Sequence, residues 1–169
     1  TEVAVLFADV VGSTRLYELL GDQHARELIQ LCVEIMRDAT GRNRGTVIKT
    51  IGDEILAIFP TVDDAVNAGG EMQQDIGARP ELLVQGQHVA IRIGCHFGPV
   101  VLENKDIFGA SVHTANRMTS QAKAGQIILS ADTVRRCSPE WRAASRRVDV
   151  TSLRGLNEEM ELYEVLWQQ

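Results

Sequence analysis

The chain has little cysteine, no long apolar run and no surplus of positive charge, and each shortage closes off a class of protein. Its three cysteines, Cys32, Cys95 and Cys137, are odd in number, widely spaced and set among apolar neighbours. That pattern argues against a disulfide framework or a metal knuckle and fits a reducing compartment, so the expected location is cytoplasmic. No stretch approaches the ~18 to 20 consecutive apolar residues that a bilayer-spanning helix requires. The first residues enter Val3-Ala4-Val5-Leu6-Phe7 directly, without a basic flank or cleavage pattern. A chain that opens inside a core strand reads as a domain cut from a longer polypeptide, in which membrane or sensor domains have a place. With 17 Lys and Arg against 23 Asp and Glu, the net charge is −6. Counterion release from nucleic acid needs clustered, unmatched cations, so no nucleic-acid partner is expected. Internal repeats and low-complexity tracts are missing as well.

What is present suffices for one core. At 169 residues, 44% of them hydrophobic, the chain fits a single α/β domain over residues 1–169. Val3 to Phe7 is an apolar run of strand length, and Gly12-Ser13-Thr14 follows as a turn and helix start. Ala25, Leu28, Ile29, Cys32, Ile35, Met36 and Ala39 recur at three and four, the inner stripe of a long helix that closes at Gly41. Thr46 to Thr50 and Glu54 to Phe59 read as a hairpin turning at Gly52. Pro60 ends it, and Ala65, Ala68, Gly69, Met72 and Ile76 line a second helix that starts near Thr61 or Asp63. His88 to His96 alternates as a strand. The order β-α-β-β-α-β is the ferredoxin-like arrangement. A C-terminal extension then adds a strand at Pro99 to Leu102, a helix near Gly109 to Ala122, a strand at Ile127 to Leu129 and a helix capped by Ser130. Strands near Arg146 to Val150 and Met160 to Leu166 close the chain.

In a split βαβ unit the third strand lies between the first and second, antiparallel to both. The end of the first strand therefore neighbours the start of the third, and Asp9 and Asp53 face each other at one edge of the sheet. Two carboxylates held close need counter-charge, so either one pKa rises or divalent cations bind between them; metal is the preferred answer. The small-residue turn Val11-Gly12-Ser13-Thr14 aims backbone N–H groups and a helix N-terminus at an anion beside that pair.

Together these stretches resemble the catalytic domains of class III nucleotidyl cyclases, over essentially the whole chain. Phe7-Ala8-Asp9 resembles that family's first metal motif, and Lys49-Thr50-Ile51-Gly52-Asp53 its purine-selecting and second metal motif. Asp106-Ile107-Phe108-Gly109 with Val112-His113-Thr114-Ala115-Asn116-Arg117-Met118 is similar to the stretch carrying purine and transition-state contacts. Arg92 to Gly98, with Leu153-Arg154-Gly155, resembles the phosphate-contacting parts. The resemblance implies a palm-like sheet and an adenylate cyclase of the bacterial, homodimeric type, making cyclic AMP and pyrophosphate from ATP at shared sites. It implies two divalent cations, Mg²⁺ or Mn²⁺, on Asp9, Asp53 and the carbonyl of Val10. It further implies Lys49 and Asp106 as adenine-selecting groups, Arg117 as transition-state cation, Arg92 and Arg154 on phosphates, and Gly12, Ser13 and Thr14 as the phosphate turn. Guanine-selecting members usually carry an acid and a Cys or similar residue at the positions of Lys49 and Asp106.

Three positions depart from the family pattern: His113 replaces the usual Asn, Phe108 the usual Trp, and Arg154 a common Lys. For His113 two roles stand open, orienting the ribose or packing aside in the interface. His24, His88 and His96 have no partner at metal-ligand spacing and are read as surface or strand residues. The rival reading is a non-catalytic nucleotide-binding or regulatory module. A diguanylate cyclase is disfavoured because Ile51-Gly52-Asp53-Glu54-Ile55 lacks the first Gly and the Phe of the expected hairpin.

Overall fold

The computed structural model describes residues 1–148, 151–152 and 159–168. In chain order its elements begin with β1 (Glu2–Val10), α1 (Ser13–Arg42), β2 (Thr46–Ile51), β3 (Glu54–Phe59) and α2 (Val62–Gly77). There follow β4 (Leu83–Val84), β5 (Gln87–His88), β6 (Ile91–Pro99), β7 (Val101–Glu103), β8 (Asp106–Phe108), α3 (Ala110–Gln121) and β9 (Ile127–Ser130). The C-terminal part holds α4 (Ala131–Val134), α5 (Pro139–Ala143), β10 (Ser145–Arg147), β11 (Thr151–Ser152), β12 (Glu159–Met160) and β13 (Leu162–Val165).

Seven strands form one sheet in the order β10-β13-β9-β6-β1-β3-β2, antiparallel except where β6 meets β9. The expected βαββαβ core is therefore present, with β3 between β1 and β2, in a mostly antiparallel α+β sheet of palm-like form. Alternation along β1 explains how the sheet is faced. Ala4, Leu6, Ala8 and Val10 join the large core under α1 and α2, whereas Val3, Val5 and Phe7 join Leu56, Val100, Ile107 and Ala115 beneath α3 and the β7–β8 hairpin. Asp9 has the parity of the second set, which puts it on the α3 face.

α1 buries the predicted stripe, together with Leu16, Val33 and Thr40. Its 30 residues are two helical pieces, because Gly21 adopts φ 80, ψ 167 and breaks the helix. α2 starts as its sequence suggests: the Thr61 hydroxyl accepts from the Asp64 N–H at 3.1 Å, with Asp63 and Asp64 in the positive first turn.

Elsewhere the expected boundaries move. The strand expected over His88 to His96 starts at Ile91, since Gln85 (φ 50) and Gly86 (φ 81) turn β4 back on β5 and Val89 N–H bonds the Leu82 carbonyl. The strand expected at Pro99 to Leu102 is the last residue of β6 followed by β7, which pairs with β8. Ser130 precedes α4 without capping it; its hydroxyl instead meets Thr133 Oγ1 at 2.7 Å and His96 Nδ1 at 2.8 Å. Of the closing strands, the first is shorter than expected and the second divides between β12 and β13, while residues 149–150 lie outside the described set. Among the described residues no helix is long and apolar enough to cross a membrane.

Candidate active site

The end of β1 places a row of charge across three strands. In the registers Asp9 stands opposite Glu54 on β3 and opposite Arg92 on β6. The turn Gly52-Asp53 joins β2 to β3; Gly52 supplies φ 59, and the Asp53 carbonyl accepts from Val10 N–H at 3.2 Å. Asp53 is thus held next to the strand end that carries Asp9, but because the turn falls on Gly52-Asp53 and β3 begins at Glu54, the residue that faces Asp9 is Glu54 rather than the expected Asp53. Asp53 also borders, with Ser13, Tyr17, Arg26 and Gln30, a cleft of about 420 Å³.

The electrostatics show that these acids feel one another. Burial raises the pKa of Glu54, the charges of Asp9 and Asp53 raise it further, and Arg92 opposes them. Arg92 is itself raised, chiefly by its hydrogen bond to Asp9. That bond is bidentate: Nε donates to Oδ1 at 2.9 Å and Nη2 to Oδ2 at 3.3 Å. Neither this pairing nor the place of Glu54 opposite Asp9 follows from the motifs, which point Arg92 only toward phosphates. Hard divalent cations take carboxylate and carbonyl oxygens, the donor types that Asp9, Asp53 and the Val10 carbonyl could offer at this strand end. Among the described residues no group of three or more His, Cys, Asp or Glu side chains stands at metal-holding spacing. The expected set needs only two carboxylates and a main-chain oxygen.

The turn after β1 leads into α1 through a left-handed glycine. Gly12 adopts φ 74 with open space around its α-carbon, so backbone conformation, not crowding, calls for glycine. No side chain caps α1 and no acid occupies its first turn, which leaves the dipole's positive end uncompensated beside Asp53. Ser13 lines the cleft, while Thr14 is exposed.

Lys49 and Asp106, 57 residues apart, meet: Lys49 Nζ donates to Asp106 Oδ2 at 3.0 Å. Two local devices bring them together. A bulge in β2 between Val47 and Lys49 turns Ile48 toward the α3-side core and Lys49 toward the hairpin. Asn104 (φ 53) and Lys105 (φ 60) make the two-residue turn that sets Asp106 opposite Glu103. Asn at the first turn position is the signal by which this hairpin could have been found. Lys49 and then the Ile107 N–H, at 2.8 Å from Oδ1, hold the Asp106 carboxyl below its ordinary range.

Arg117 and His113 lie four residues apart on α3, on one helical side. Neither has a hydrogen-bond or ion-pair partner among the described residues. Their helix is clamped to the sheet: a side chain at Gly94 would strike the backbone of Thr119, and one at Gly98 the hydroxyl of Ser111. Both glycines belong to β6 and give α3 its close approach. Arg154 lies outside the described residues. His96 is partly buried against Ser130 and Thr133, His88 Nε2 sits 2.6 Å from the Ile76 carbonyl, and all three thiols are buried.

The palm-like sheet thus carries acids around the end of its central strand, a helix start beside them, and a Lys–Asp pair on the face that bears Asp9. The family model "Adenylate and Guanylate cyclase catalytic domain" matches residues 1–166. The chain belongs to this family, the class III nucleotidyl cyclase catalytic domains. It is 30% identical over 127 residues to a putative adenylate cyclase 3 of Rhizobium meliloti, covering 75% of this chain and 22% of that protein. To an adenylate cyclase of Streptomyces griseus it is 33% identical over 127 residues, covering 74% and 30%. The chain therefore spans under a third of these relatives' length. Among solved structures, the catalytic core of a rhodopsin-guanylyl cyclase with converted specificity, in complex with ATPαS, superposes with TM-score 0.84 at 27% identity, covering 97% and 94% of the two chains. An adenylate/guanylate cyclase/hydrolase from Silicibacter pomeroyi gives 0.83 at 25%, covering 98% and 96%.

Proposed function

We propose that the chain is the catalytic domain of an adenylate cyclase, converting ATP to 3′,5′-cyclic AMP and pyrophosphate at sites shared between two copies. The observation that carries the substrate choice is the Lys49–Asp106 contact on the face that bears Asp9. A Lys ammonium donates to adenine N1 and a carboxylate accepts from the N6 amine, whereas guanine offers a donor and an acceptor in the reverse places. The adenylate cyclases among the relatives support the same choice.

Asp9, Asp53 and the Val10 carbonyl are the groups that would hold two divalent cations, Mg²⁺ or Mn²⁺. Bound there, such ions lower the pKa of the ribose 3′-hydroxyl and neutralise the triphosphate. The uncapped start of α1 at Gly12, Ser13 and Thr14 receives phosphate oxygens, with Arg92 and Arg154 on the outer phosphates. The 3′-oxygen attacks the α-phosphorus in line, and the bond to the bridging oxygen breaks to release pyrophosphate. Arg117 neutralises charge that develops on the α-phosphate. In this chain Arg117 contacts neither Asp9 nor Asp53, which favours its service to the partner's carboxylates. His113, exposed beside Arg117, takes the ribose-orienting place.

Incubating the purified domain with ATP or GTP and Mn²⁺, then identifying the cyclic product, tests this reading. Cyclic AMP is expected from ATP, with little product from GTP. Lys49→Glu combined with Asp106→Cys is expected to move the preference toward GTP by about a hundredfold, since sites that read hydrogen-bond patterns discriminate strongly. Nucleotide binding without any cyclic product would favour a regulatory module.

A further inference from the structure

We propose that Arg92 is a hand-over group that couples metal binding to triphosphate binding. The idea rests on the reading of Asp9 as a metal ligand. Arg92 engages both oxygens of Asp9, at 2.9 and 3.3 Å, so a cation that needs those oxygens and the guanidinium compete for one carboxylate. The contest is uneven for a cation arriving alone. Asp9 is largely enclosed and Arg92 about two-thirds enclosed, with side-chain exposures of 14% and 35%, and displacing the fork strands a partly desolvated guanidinium.

The other acids near Asp9 are Glu54 and Asp53, and neither is hydrogen-bonded to Arg92 among the described residues. Glu54 stands on the far side of Asp9 from Arg92, one strand further away. A triphosphate changes the balance. Its outer oxygens accept the same bidentate fork that Asp9 accepts, so Arg92 moves from one anion to another as Asp9 moves from one cation to another. Each group keeps a partner of opposite sign through the exchange. Cation and triphosphate therefore bind with positive coupling, and by reciprocity each tightens the other by the same factor.

The test reads binding rather than turnover. Mn²⁺ affinity is measured by calorimetry without nucleotide for the wild type, Arg92→Ala, Arg92→Lys and Asp9→Asn. Arg92→Ala is expected to bind Mn²⁺ alone about tenfold more tightly than the wild type. Arg92→Lys, which keeps the charge and loses the fork, is expected to fall between them. With saturating Mn²⁺ and an ATP analogue lacking the 3′-hydroxyl, the order reverses and Arg92→Ala binds the analogue about tenfold more weakly. A second measurement needs no variant at Arg92: the Nε–H resonance of Arg92, followed by NMR while Mg²⁺ is titrated into the wild type, is expected to shift as the ion binds. If that resonance stays fixed while Mg²⁺ saturates a site that Asp9→Asn abolishes, the metal site stands and the hand-over is wrong. If Asp9→Asn binds Mn²⁺ as tightly as the wild type, the metal assignment itself falls, and the hand-over with it.

Discussion

Under α1 and α2 the sheet is sealed: Leu6, Met36, Ile55, Met72 and Ile93 are fully buried in one continuous core. Across the sheet, α3 and the β7–β8 hairpin cover Val3, Val5 and Phe7 but leave Val101, Leu102 and Phe108 at least half exposed, and the Asp9–Arg92 and Lys49–Asp106 pairs lie on this side. The first face is what a stable fold needs. The second gathers partly buried charge and uncovered apolar area, both of which cost stability and both of which a second copy and a nucleotide would satisfy. Substitutions on the two faces should therefore separate stability from chemistry.

The largest effect is expected at the carboxylates. Asp9→Ala or Asp53→Ala should lower cyclic AMP production by about a thousandfold or more; thermal unfolding should move little for Asp53→Ala, whereas Asp9→Ala also leaves Arg92 unpaired and should lower stability. Next comes the sealed face, where Leu6→Ala or Met72→Ala should cost about 2 to 5 kcal/mol of stability by denaturant titration. Activity per folded molecule should hold there, which is the reverse of the Asp53→Ala result. Gly94→Ala crosses the comparison: a methyl group there meets the Thr119 backbone and pushes α3 away. A loss of about 1 to 3 kcal/mol together with reduced turnover is expected, because Arg117 and His113 travel with the helix.

The smallest effect concerns pH. Glu54 has a folded pKa above its unfolded value, so the folded state binds the proton more tightly. Its ionisation therefore destabilises the fold: stability is retained below the unfolded pKa and falls as pH rises through the raised folded value. Glu54→Gln should flatten that fall and stabilise the protein at neutral pH by less than about 1 kcal/mol, since the group is partly solvated. Unfolding curves from pH 4 to pH 7 would show it.

The same comparison explains what could be read from the sequence. On the sealed face the signals are long and periodic: the stripe from Ala25 to Ala39 and that from Ala65 to Ile76 each repeat over several turns, and both helices are found with those residues inward. On the other face the decisive devices are single residues. The bulge at Ile48, the Asn104-Lys105 turn and the helix-admitting Gly94 and Gly98 each occupy one or two positions, too few to rise above local preference. Asp9, Asp53, Lys49 and Asp106 were legible through their motifs. That Lys49 touches Asp106 depended on a hairpin the periodicity did not show, and that Arg92 grips Asp9 depended on a register between β1 and β6. The break at Gly21 was hidden because a helical stripe continues beyond it.

The central claim is that two copies of the open face build one catalytic site from different residues. Mixing equal amounts of Asp53→Ala and Arg117→Ala protomers, each inactive alone, tests it most directly. Random pairing makes half the dimers mixed, each with one intact site, so about a quarter of wild-type cyclic AMP production should return. If the mixture stays as inactive as its parts although dimers exchange, Asp53 and Arg117 do not complete a site across two subunits, and the account is contradicted.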